Sequence, residues 1–254
     1  MNNDDFYIGY LKQAPEGVRR FTKKTVIALL AGVMLVAVLL VLGQKAFYPS
    51  TFEFLQYKEF TGTFHSHPYP MLRVLDVNGN GDIPTYSHYY LVNEGKFGSQ
   101  DLAQEYEGQQ VALEGTLIYR DDQVMVEIKP GTIKSVSDAE PATSPAPQSL
   151  GTFTLAGEIV DSKCFLGVMN PGSQKPHRAC ATRCISGGVP PLFVAKDAEG
   201  KTSYLALQSS NGSVVNQDVL EMVAEPLEIT GEVFQVEDVL IFRADPATYK
   251  RLSL

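Results

Sequence analysis

Val111–Lys134 reads VALEGTLIYRDDQVMVEIKPGTIK and Leu227–Lys250 reads LEITGEVFQVEDVLIFRADPATYK. Laid over each other without a gap, they match Gly115 to Gly231, Val124-Met125-Val126 to Leu240-Ile241-Phe242, and Pro130 to Pro246. Two more blocks precede them in the same order. PMLRVLDVNG (Pro70–Gly79) pairs with PLFVAKDAEG (Pro191–Gly200), and YLVNEGKFG (Tyr90–Gly98) pairs with YLALQSSNG (Tyr204–Gly212). Three blocks recurring in order mark an internal duplication.

Each copy has the same succession of periods. A first strand ends near Phe60-Thr61-Gly62 in copy one and within Leu155–Val160 in copy two, and an Asp-x-x-Gly turn then joins two strands as a hairpin. A short helix candidate follows, Asp101–Tyr106 or Val214–Val223, and then a last strand pair. Two strands, a third, a helix and two more is the order of an OB-like five-stranded barrel. The predicted fold is therefore mainly β: an N-terminal transmembrane helix, then two tandem OB-like barrels, the second carrying a Cys/His-containing helical insertion.

The chain divides accordingly. Thr25–Gly43 is nineteen uncharged residues, enough at ~1.5 Å per residue to cross a ~30 Å hydrocarbon core. That length and the lack of a small-x-small cleavage site read as a retained single-span anchor, not a cleaved signal peptide. Residues 1–24 are then a cytoplasmic segment, 50–136 the first OB-like domain, 137–149 a Pro/Ala/Ser linker, and 150–254 the second domain with its insertion at 161–190.

Charge sets the orientation. Lys12, Arg19, Arg20, Lys23 and Lys24 precede the span and only Lys45 follows closely, so the N-terminus is expected in the cytoplasm and the bulk of the chain on the periplasmic or extracellular side. The exported part retains 15 of 21 basic and 26 of 29 acidic residues, a net of −11. Such a domain attracts neither nucleic acid nor anionic lipid, which excludes a nucleic-acid partner. The head, Asn2–Gln13, carries Phe6, Tyr7, Ile8, Tyr10 and Leu11 beside Asp4 and Asp5, a composition suited to docking on a membrane protein partner.

The alignment isolates what copy two gained. Where copy one has Thr63–Tyr69, copy two has Asp161–Pro190, which holds all three cysteines of the chain, Cys164, Cys180 and Cys184, with His177. His177, Cys180 and Cys184 are spaced i, i+3, i+7, one face of a helix that Gly187-Gly188 would end and Pro190-Pro191 would keep from resuming. With Cys164 brought back by a turn at Asn170-Pro171-Gly172, the four residues form a Cys3His set suited to Zn²⁺ or Cu(I). Two other chemistries fit the same residues. Exported thiols tend to oxidise, giving a disulfide among Cys164, Cys180 and Cys184 with one thiol left over; or Cys180 and Cys184 do thiol exchange with His177 tuning them.

GEIVDSKCFLGVMNPG (Gly157–Gly172), HRACATRCISGGVPPLF (His177–Phe193) and DDFYIGYLKQAP (Asp4–Pro15) resemble a group of uncharacterised membrane-anchored bacterial envelope proteins that share this insertion. The resemblance implies an envelope-facing protein of the bacterial cytoplasmic membrane and brings no activity with it.

Weaker ligand patterns lie outside the insertion. Asp76, Asn78, Asn80 and Asp82 have the spacing of the front of a calcium loop, but position 12 is Ser87 and the matching hairpin of copy two lacks ligands, so a plain turn is the simpler reading. His65 and His67 would face one side of an extended segment and so could chelate a transition metal, although exposed loop histidines is the plainer account. There is no Gly-x-Ser-x-Gly, phosphate loop or dinucleotide fingerprint. The expected function is thus that of an exported, membrane-anchored accessory protein of a membrane-associated assembly with a Cys/His site. The alternative is a Zn- or Cu-binding or thiol-redox protein proper, and an exported enzyme ranks third.

Overall fold

The structure is a computed structural model that describes residues 14–44, 49–76, 85–136, 145–197 and 199–252. The head segment and the loop ligands Asn78, Asn80 and Asp82 fall outside these residues, while Ser87 pairs with Val74 in a strand.

The first compact unit, Met1–Tyr48, contains helix α1, Glu16–Gly43, whose apolar stretch has a mean hydropathy of 3.0 and no buried residue. It begins nine residues before the uncharged run. Among the described residues it is the helix long and apolar enough to cross a membrane, as a membrane anchor or a signal sequence would be.

The second unit, Pro49–Leu254, holds both barrels. In the first, β1 (Lys58–His65), β2 (Met71–Asp76) and β3 (Thr85–Asn93) form an antiparallel meander. After the short helix α2 (Ala103–Tyr106), β4 (Gln110–Arg120) and β5 (Gln123–Ile128) form a hairpin. β4 pairs with β1, and β5 runs parallel to β3, which closes the sheet in the order 1-2-3-5-4-1. The second barrel repeats this with β6 (Gln148–Asp161), β7 (Pro191–Lys196), β8 (Thr202–Gln208), β9 (Pro226–Val236) and β10 (Val239–Arg243). Two closed five-stranded barrels with the OB strand order follow the helix, as the duplicated sequence requires.

The glycines of the repeat explain how each barrel closes. A Cβ on Gly62 would lie 2.5 Å from the Arg73 carbonyl oxygen, and one on Gly115 2.6 Å from that of Glu127. Their counterparts meet the corresponding atoms: Gly157 abuts the Val194 carbonyl and Gly231 that of Arg243. Strands this strongly coiled pass too close for a side chain at these points. The register also corrects the sequence alignment in one block. Met71 faces Tyr90 while Leu192 faces Ala206, so Tyr90 corresponds to Ala206 and not to Tyr204, a shift of two.

Two local expectations fail. Val214–Val223 is not a continuous α-helix but a run of turns that ends in a 3-10 turn at Leu220–Met222, with Val215, Val219 and Val223 buried against the barrel. β1 continues to His65, so the segment of copy one that matches the insertion shrinks to Ser66–Tyr69.

Each barrel has its own core, Phe64, Leu72, Leu91, Leu113 and Val126 in the first, Phe193, Leu205, Leu227, Ile229 and Phe242 in the second. A third apolar cluster belongs to both. Tyr69, Met71, Tyr90, Val92, Ile118 and Met125 from barrel one pack with Val160, Leu166, Leu192, Ala206, Val239 and Ile241 from barrel two, and Cys164 and Cys184 lie within it. Polar clasps rim this seam: Tyr69 donates to the Leu207 carbonyl at 2.5 Å, Arg73 forks onto Glu237 at 2.6 and 2.8 Å, and His88 meets Asp238 at 2.6 Å.

Gly115→Ala in the full chain is expected to cost about 1–3 kcal/mol, because the new methyl group would meet the branched Val126 side chain and the Glu127 carbonyl oxygen, the latter at 2.6 Å. Denaturant unfolding in mild detergent measures it, and wild-type stability would contradict the close-approach account.

Candidate functional site

The insertion begins where β6 ends. Asp161, fully buried, accepts from the Cys164 amide through Oδ1 at 2.8 Å and meets His177 Nε2 through Oδ2 at 2.9 Å. Cys164 opens a wide turn, Cys164–Val168, of the i→i+5 kind that often marks functional positions, with the Cys164 carbonyl accepting from the Met169 amide at 3.1 Å. Gly172 packs directly on the backbone of Cys164 and Phe165, so the Asn170-Pro171-Gly172 turn folds back over the first thiol.

α3, Gln174–Ser186, carries the rest. It has the i, i+3, i+7 face, with His177 and Cys184 buried and Cys180 half-buried. Gly187 and Gly188 end it, Gly188 at φ +96°, which a glycine adopts without strain, and Asn216 Nδ2 donates to the carbonyls of Ile185 and Val189 at 2.8 and 2.9 Å.

The three sulfurs lie within 4.8 Å of one another, Cys164 and Cys180 at 3.8 Å. No disulfide joins them: all three are free thiols, and 3.8 Å is far beyond the ~2.05 Å of an S–S bond. His177 is grouped with Cys164 and not with all three sulfurs. Its Nε2 is engaged by Asp161, and this pair forms with Cys164 a second close group, again within 4.8 Å. Cys164 therefore belongs to two overlapping sets, three thiols on one side and a thiol, carboxylate and imidazole on the other.

A residue from the other barrel completes the cluster. Lys96, on the turn after β3, places Nζ 2.7 Å from Cys180 Sγ and 3.6 Å from Cys184 Sγ. The turn is pinned on α3: the Gly98 amide donates to the Gly187 carbonyl at 3.0 Å, Gln100 Nε2 donates to that of Gly188 at 2.5 Å, and Gly187 leaves room only for the Lys96 carbonyl. From the opposite direction Lys163, 2 % exposed, reaches into barrel one, donates to the Asn93 and Gly95 carbonyls at 2.9 and 2.7 Å, and pairs with Glu127. Arg120 of barrel one donates to the Phe165 carbonyl at 2.9 Å and stacks on its ring.

These neighbours divide the thiols. The Cys164 proton is shared toward Cys184, and Lys96 faces the same sulfur, so the Cys184 pKa falls below the ordinary thiol value. The same hydrogen bond, burial and the Asp161 carboxylate push that of Cys164 up. Lys96 is in turn held as an ammonium, first by the hydrogen bond to Cys180 and then by the charge of the neighbouring sulfurs. The arrangement can offer a soft ligand set with a compensating cation beside it.

No protein-family model matches this sequence, and no curated protein is similar to it. The cluster must therefore be read from its own chemistry.

The two histidines of copy one, His65 and His67, do not assemble into a site. His65 is buried at the end of β1, with Nδ1 3.6 Å from a Glu107 oxygen, whereas His67 is exposed and meets Ser66 Oγ at 2.9 Å. They do not face one side, because the strand ends between them. Asp161 and Lys96 were absent from the sequence-derived ligand set. Asp161 had a signal in its place at the first position of the insertion, but Lys96 is 84 residues from Cys180 and nothing local marks it.

Lys163→Ala would leave Glu127 and two carbonyls facing a void in the seam, and about 3–5 kcal/mol of stability should be lost. Denaturant titration of the full chain reads this directly, and a loss under 1 kcal/mol would contradict the assigned role.

Proposed function

We propose that this chain is an exported, membrane-anchored accessory protein of a membrane-associated assembly, and that its working part is a soft-metal site formed by Cys164, Cys180 and Cys184. The observation that carries the reading is the sulfur geometry. Around one ion with metal–sulfur bonds of about 2.3 Å, three thiolates stand roughly 4 Å apart. The sulfurs already lie within 4.8 Å of each other, and one pair is at 3.8 Å.

Donor type and number favour Cu(I) over Zn²⁺. Thiolates select soft monovalent copper, which accepts a low coordination number, whereas structural zinc takes four ligands. The close three-sulfur group includes no histidine nitrogen, and His177 holds Asp161 through Nε2. With that pair intact, Asp161 and His177 act from behind Cys164, fixing its backbone and one wall of the site. The Lys96 ammonium offsets negative charge that three thiolates around a monovalent ion would accumulate.

The lysines and arginines before the apolar helix support placement of the barrels outside the cytoplasm, and the acidic charge of the chain after the helix disfavours nucleic acid. The role is holding or handing on a metal for a membrane partner rather than catalysis.

Elemental analysis of full chain purified under reductant in mild detergent should give about one copper per chain after Cu(I) exposure, and Cys180→Ser should abolish stoichiometric binding. Thiol counting on unreduced, metal-stripped protein separates three thiols from the single thiol a structural disulfide would leave. Absence of both copper and zinc at stoichiometry would overturn the metal reading, and repeated mild purification without any membrane partner would overturn the accessory role.

A further inference from the structure

Lys96 brings a primary amine against a thiol with nothing between them. Nζ lies 2.7 Å from Cys180 Sγ. N–H···O hydrogen bonds span about 2.7–3.2 Å, and sulfur is the larger atom, so this separation is tight for an ordinary contact and is what a single bridging atom would span. Neither partner can easily withdraw. The Lys96 carbonyl is wedged on Gly187, the Gly98 amide is bonded to the Gly187 carbonyl, and Cys180 is fixed two turns inside α3. Among the described residues no carboxylate pairs with Lys96; its Nζ faces sulfur on two sides.

Access differs sharply among the thiols. Cys164 and Cys184 are 3 % and 1 % exposed, while Cys180 and Lys96 are both half-buried and open to a small oxidant. Two groups held in reacting geometry behave as though at very high local concentration, and susceptibility to oxidation follows exposure.

The geometry points to Lys96 and Cys180 as an oxidative modification site, at which dioxygen joins them through one oxygen as an Nζ–O–Sγ bridge. The S–H bond, one N–H bond of the amine and the O–O bond break; an S–O and an N–O bond form. Sulfur and nitrogen each give up two electrons and dioxygen takes four. One oxygen atom becomes the bridge, the other leaves as water with the thiol hydrogen and one amine hydrogen, and the extra proton of the ammonium passes to solvent. Four thiols, oxidised to two disulfides, reduce the link to amine, thiol and water.

Its effect follows from where the two residues sit. Lys96 belongs to barrel one and Cys180 to the insertion of barrel two, so the bridge is a covalent staple across the seam. It needs only amine, thiol and dioxygen, and so it does not depend on metal binding. In a site that binds copper it withdraws both a ligand and the compensating cation.

The test uses full chain in mild detergent, stripped of metal with a chelator, equilibrated with air and digested without reductant. Mass spectrometry should find the Lys96 and Cys180 peptides joined, heavier than their sum by one oxygen and lighter by two hydrogens, with the species lost on dithiothreitol treatment. Lys96→Arg, which keeps the cation, and Cys180→Ser should each eliminate it, and the wild type alone should lose thermal stability on reduction. Recovery of Cys180 as a free thiol, as a disulfide with Cys164 or as an oxyacid, with Lys96 unmodified, would overturn the proposal. Copper stoichiometry is read separately, so failure of one does not decide the other.

Discussion

A buried ammonium at the joint between the barrels governs the rest of the structure. Lys163, contributed by barrel two, is desolvated inside barrel one, where Glu127 and the Asn93 and Gly95 carbonyls replace its water. An unpaired buried charge is costly, so the pair and its carbonyl partners tolerate little displacement. Because Asn93 and Gly95 lie on the turn that carries Lys96, the constraint that satisfies one lysine also positions the other. The residue after Lys163 is Cys164, so both sides of the thiol cluster are set by one desolvated cation.

The cluster makes chemical sense as a layered environment. Apolar side chains from both barrels surround Cys164 and Cys184, lowering the local dielectric and strengthening each remaining charge. Into that setting come one carboxylate from behind and one ammonium from the front, so the three thiols are inequivalent before any ligand arrives. The insertion is elaborate because it must supply thiols and also close the gap between two preformed barrels.

Much of the architecture was legible because duplication makes local pattern self-checking: Gly62 and Gly157, Gly115 and Gly231 meet equivalent carbonyls in their two copies. The misplacement of Tyr90 by two residues did little harm, since a shift of two leaves every side chain on its own face of a strand. Helical spacing likewise put His177, Cys180 and Cys184 on one face. It could not show that His177 turns to Asp161, because that depends on which strand lies beneath the helix. Lys96 and Lys163 were unreadable for a related reason: their partners belong to the other barrel, and no local period encodes a seam. The helix expected at Val214–Val223 failed because its i, i+4 valines serve equally well to press a run of turns onto a barrel wall.

The distance along the chain between the parts of the cluster bears on how it is assembled. Cys164 and Cys180 are 16 residues apart and can meet as soon as the insertion closes on itself, whereas Lys96 and Cys180, 84 apart, meet only after two barrels have formed and docked. Contacts between distant segments form late, since loop closure must precede them. A newly made chain therefore passes through a stage in which its thiols are gathered but not yet capped by lysine. Biogenesis thus becomes a race between docking of the first barrel and premature oxidation of the second.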